Sequence, residues 1–100
     1  VLILACIQAR PDNINWASIY PAVQNILLAA RGLGLASVLT TRHMRFEDEI
    51  KQLLGIPEDV VTAALLPIGF PAEGARYGPT RRKPLEEVAF VDHWGNSWQH

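Results

Sequence analysis

The sequence is short of cysteine, of methionine and of long apolar runs, with one Cys and one Met in 100 residues. A lone cysteine, Cys6, excludes an internal disulfide and fits a reducing, cytoplasmic compartment. Cys6 sits inside an apolar run, so a small buried core residue is expected there. No apolar stretch approaches the roughly 20 residues of a membrane span. The opening VLILACIQ is too short for a signal peptide and carries no basic leader. The chain begins on Val1, inside a strand-like segment and without methionine. Upstream sequence is therefore expected to be missing, by truncation or proteolysis.

Metal and nucleophile chemistry is also thinly supplied. His43, His93 and His100 have no partner at metal-ligand spacing, and there is no paired cysteine. Ser18, Ser37 and Ser97 lack the context of an activated nucleophile. Nor does one sign of charge dominate. Nine Lys and Arg against ten Asp and Glu leave a net charge of -1, which gives no general reason to expect nucleic acid or a membrane as partner. With 49% hydrophobic and 19% charged residues, the composition is that of one small folded domain.

The pattern alternates strands with helices. Residues 1–7 form a continuous apolar run, predicting a strand buried on both faces. Residues 8–15, with Pro11, Asp12 and two asparagines, read as a loop, and Asn13 or Asn15 is a candidate cap. Residues 16–31 are helical in period, with Val23, Ile26, Leu27 and Ala30 on one face. Pro21 either opens or kinks this helix, and Gly32 or Gly34 ends it. A short strand is expected over 35–41. A second helix is expected over 46–54, with acids in its first turn, Ile50, Leu53 and Leu54 on its apolar face, and Gly55 with Pro57 as its stop. Residues 60–68 predict a third strand that ends, bulges or lies at an edge at Pro67. Residues 69–84 are rich in Gly, Pro and Arg, the composition of an ordered excursion or binding loop. A final extended segment is expected over 85–91. The fold class is thus α/β, or α+β layered.

Bases gather at Arg76, Arg81, Arg82 and Lys83, the last three between Pro79 and Pro84. Guanidinium groups supply paired planar donors suited to a phosphate, and flanking prolines reduce the ordering cost of binding. By chemistry alone this run is either an anion-binding loop or a solvated one. Trp16, Tyr20, Trp94 and Trp98 either pack or line a ligand pocket, with packing the more usual fate of large aromatics.

The stretch NWASIYPAVQNILLAARGLGLASVLTT resembles the long central helix and following strand of the nitroreductase family. FEDEIKQLLGIPED, ALLPIGFP, GPTRRKPLEEV and DHWG follow in the family's order, so the resemblance covers residues 16–95. It implies the carboxy-terminal half of a nitroreductase-like fold, a single partial domain over 1–100. It further implies FMN as cofactor and a homodimer with the flavin at the subunit interface. Electrons would pass from NAD(P)H to a nitroaromatic, quinone or other small-molecule acceptor. Flavin cleavage and reductive dehalogenation belong to related branches of the same fold. By this resemblance Arg82 matches the family's phosphate-binding arginine, with Arg81 beside it. Leu39, Thr40, Thr41 and Arg42 fall where the family runs backbone beside the flavin ring. The family's amino-terminal phosphate-binding segment has no counterpart here. A non-catalytic fragment that self-associates through exposed apolar surface is the alternative.

Overall fold

The computed structural model describes residues 1–10 and 12–98. Pro11 and His100, both considered above, lie outside the described residues. Strand β1 (Leu2–Gln8) leads to helix α1 (Trp16–Gly32) and strand β2 (Ala36–Ser37). A 3-10 turn (Arg42–Phe46) runs into helix α2 (Glu47–Leu54), and strand β3 (Val60–Gly69) follows. The sheet order is β1-β3-β2, with both pairings antiparallel.

Helix α1 lays its predicted face on the sheet. Val23, Ala64 and Leu66 are fully buried, and Ile3, Ala5, Ile19, Tyr20, Ile26, Leu27 and Ile68 pack around them. Ile19 thus belongs to the core, one turn before the stripe its spacing marks. Asn15 stands at the helix start without a side-chain capping bond, and the helix continues through Pro21. Gly34 ends it. At φ +78° it takes the left-handed position that only glycine occupies without a Cβ penalty. The Gly34 N–H then donates to Arg31 O at 3.1 Å and the Leu35 N–H to Ala30 O at 2.8 Å. Gly55 ends α2 in the same way at φ +68°, with the Ile56 N–H returning to Lys51 O at 2.9 Å.

Four expectations need correction. First, β1 is an edge strand with no fully buried residue, so Cys6 is half-buried rather than a core residue. Second, β3 is central, and Pro67 lies inside it opposite Leu2. The register that pairs Ala36 with Gly69 and Ser37 with Ile68 puts Val38 opposite Pro67, and proline has no N–H to give on that side. The strand expected over 35–41 is therefore split into β2 and an isolated bridge, Thr40 to Leu65. Third, residues 42–46 form a 3-10 turn ahead of α2, whose Leu53 and Leu54 are exposed. Fourth, residues 85–87 form a 3-10 turn, and beyond them Phe90 bridges Ser97.

A bulge sets which residues reach the far face of the sheet. Ala5 faces Ala64 but Cys6 faces Thr62, so Ala63 is the extra residue, and the Tyr20 hydroxyl donates to its carbonyl at 3.1 Å. Ala5 packs toward α1, so Cys6 and its partner Thr62 turn to the opposite face. The 3-10 turn and α2 meet them there.

Candidate functional site

The segment Leu39, Thr40, Thr41 and Arg42 leaves the sheet between β2 and α2. Thr40 is tied to Leu65 by two hydrogen bonds: its N–H donates to Leu65 O at 3.0 Å, and its carbonyl accepts from Leu65 N–H at 2.9 Å. Successive N–H groups of an extended chain point to opposite sides. Those of Leu39 and Thr41 therefore face away from the sheet, and neither has a partner among the described residues. The Arg42 N–H donates to Thr40 Oγ1 at 3.3 Å. Two of the four N–H groups are thus available to an outside acceptor.

Arg81, Arg82 and Lys83 are exposed and line a shallow recess with Pro84. None of the three makes an ion pair or hydrogen bond among the described residues. Three uncompensated cations on consecutive residues are the arrangement an anion would neutralise. The lining of this recess is confined to residues 81–84 and does not include Leu39, Thr40, Thr41 or Arg42.

The aromatics divide. Trp16 and Tyr20 stack at 5.9 Å between ring centroids, with Tyr20 packed on the core. Trp94 leans on Phe90 at 4.8 Å but is 92% exposed. The residue pattern gave no sign of two other features. The Arg31 guanidinium lies 3.8 Å from the centroid of the Tyr77 ring, which ties the end of α1 to the loop carrying the basic run. On the far face of the sheet, His43 Nε2 lies 3.0 Å from Thr62 Oγ1, and the Thr62 N–H donates to Glu47 Oε1 at 3.1 Å. Lys51 approaches the same Glu47 oxygen at 3.7 Å. Burial pushes the Cys6 thiol up, the Glu47 carboxylate adds to the rise, and Lys51 opposes it. Such a thiol is poorly suited to serve as a nucleophile.

Residues 4–70 match the sequence profile of the nitroreductase family. The chain belongs to that family. A protein of Methanothermobacter thermautotrophicus, provisionally named an NADH dehydrogenase/NAD(P)H nitroreductase, is 47% identical over 55 residues, 52% of this chain and 28% of that protein. The iodotyrosine deiodinase of Daphnia pulex is 35% identical over 81 residues, 81% of this chain and 27% of that protein. A solved structure from Parabacteroides distasonis, with the same provisional name as the first relative, has a TM-score of 0.76 at 22% identity. It covers 93% of this chain and 55% of its own. A nitroreductase family protein from Clostridium novyi gives a TM-score of 0.59 at 22% identity, covering 97% of this chain and 53% of its own. The chain therefore has the nitroreductase fold, and it spans about half the length of these solved structures and less than a third of the curated relatives. The family profile takes in Leu39, Thr40, Thr41 and Arg42 and stops before Arg81 and Arg82.

Proposed function

We propose that this chain is the carboxy-terminal half of an FMN-dependent oxidoreductase of the nitroreductase family, a partial domain completed by an amino-terminal half. The observation that carries the reading is the unpaired basic run at Arg81, Arg82 and Lys83. The outward N–H groups of Leu39 and Thr41 support it. Both fit the flavin mononucleotide, the run matching its phosphate and the N–H groups the polar edge of its ring. When bound, FMN would supply the redox chemistry, taking a hydride from NAD(P)H and reducing a small acceptor such as a nitroaromatic or quinone.

The protein's own part is binding and orientation. Arg82, with Arg81 beside it, would neutralise the phosphate through charged hydrogen bonds. Thr40, fixed to Leu65, holds the neighbouring N–H groups in one direction, so their dipoles need no reordering when an acceptor arrives. Arg42 adds a positive charge beside the same backbone. A homodimer in the cytoplasm is the setting this reading expects.

The test is a titration of FMN against riboflavin on the chain complemented by its amino-terminal half. Arg82→Ala should weaken FMN by about 1.5–3 kcal/mol, the usual worth of a hydrogen bond to a charged group. Riboflavin, which has no phosphate, should bind both proteins alike. Equal losses for both ligands, or no loss for either, would return Arg82 to a solvated loop.

The Daphnia deiodinase resemblance, which extends over 81% of the chain, favours reductive dehalogenation as a second reading with the same cofactor. Turnover of a halogenated phenol against a nitroaromatic by the completed enzyme separates the two. The exposed Leu28, Leu33, Leu53 and Phe70 favour the other alternative, a non-catalytic fragment that self-associates. That fragment would not bind flavin.

A further inference from the structure

We infer that Arg31 and Tyr77 act as a clasp that positions the basic run for its anion; the inference rests on the flavin reading above. Arg31 lies in the last turn of α1, whose Schellman closure at Gly34 fixes the backbone there. Its guanidinium sits 3.8 Å from the Tyr77 ring centroid, well within the roughly 6 Å reach of a cation–π contact. No other hydrogen bond, ion pair or ring contact among the described residues joins residues 70–83 to the sheet or to α1. Among the described residues, the clasp is therefore the one polar or ring contact that tethers this excursion.

Its place in the sequence gives it leverage. Three residues separate Tyr77 from Arg81, so four residue steps carry Arg81 no more than about 14 Å from Tyr77, even fully extended. Two of the residues near the run, Pro79 and Pro84, have their φ fixed by the ring. Holding Tyr77 at the end of α1 thus limits how far Arg81 and Arg82 can stray from the helix end. Without the clasp each guanidinium would be ordered only when the anion binds, and that ordering would weaken binding. Arg31 and Tyr77 touch no ligand in this scheme. They are positioning residues.

Two variants and two measurements test it. Trypsin nicking after Arg76, Arg81 and Arg82 reads the order of the excursion, and titration with FMN and riboflavin reads its use. Tyr77→Leu removes the ring face, whereas Tyr77→Phe keeps it. The Leu variant should be nicked about three- to thirtyfold faster than wild type and lose FMN affinity by a similar factor, the range that one cation–π contact spans. Its riboflavin affinity should be unchanged, and the Phe variant should restore both properties. Wild-type nicking of Tyr77→Leu overturns the clasp. So does faster nicking with the FMN preference intact, since the run would then bind without being held. A wild-type chain that, complemented by its amino-terminal half, does not prefer FMN to riboflavin overturns the flavin reading first, and this inference with it.

Discussion

Thr62 shows how much one residue can settle. It is fully buried, and the bulge at Ala63 turns it from the helix face to the face where His43 waits at 3.0 Å. His43 is itself 6% exposed, and its Nδ1 has no hydrogen-bond partner. Thr62→Val keeps the shape but removes the hydroxyl, leaving His43 with neither nitrogen bonded. A buried polar group left unsatisfied costs about 1–3 kcal/mol. Urea denaturation should therefore show a loss of that size, with Thr62→Ser recovering part of it. A Val variant as stable as wild type would mean the pair contributes nothing. Nothing in the sequence marked this contact, because His43 and Thr62 lie 19 residues apart and the bulge that joins them leaves no compositional trace. The basic run at Arg82 could be picked out for the opposite reason, though its role as a phosphate site remains the proposal above. Its signal is local, a run of three cations between prolines, and the structure leaves that run exposed.

Among the elements, periodicity marked the packed face of α1 but not the order of the strands. The stripe Val23, Ile26, Leu27 and Ala30 packs as its spacing predicts, because a helix face is written in consecutive residues. Sheet order is not written there. The apolar runs of β1 and β3 look alike, yet β1 is an edge and β3 the centre. Pro67 suggested an end, a bulge or an edge, but the gap it makes falls on the β2 side only, and the β1 side stays paired through Leu2. Restoring the donor should close that gap. In Pro67→Val the new amide faces Val38 and should bond its carbonyl, slowing exchange of that hydrogen by at least about tenfold relative to an unstructured amide. Exchange at the unstructured rate would show that something other than the missing N–H separates β2 from the Thr40 bridge.

The whole molecule is spread out. Its radius of gyration is 17.8 Å, against about 13 Å for a compact chain of 100 residues. Large apolar side chains stand in the open: Leu2 is 67% exposed, Leu33 77%, Leu53 83% and Phe70 88%. Surface of this kind favours association, and two-fold dimers are the commonest closed form. Sedimentation at micromolar concentration should give a dimer, and a clean monomer would contradict that expectation. The central claim is flavin binding, and one measurement tests it most directly. The chain, complemented by its amino-terminal half, is mixed with excess FMN, passed over a sizing column and read in the near-visible. A flavin band that travels with the protein, at about one FMN per chain, is the predicted result. A colourless protein peak, with all of the FMN eluting as free flavin, would contradict it.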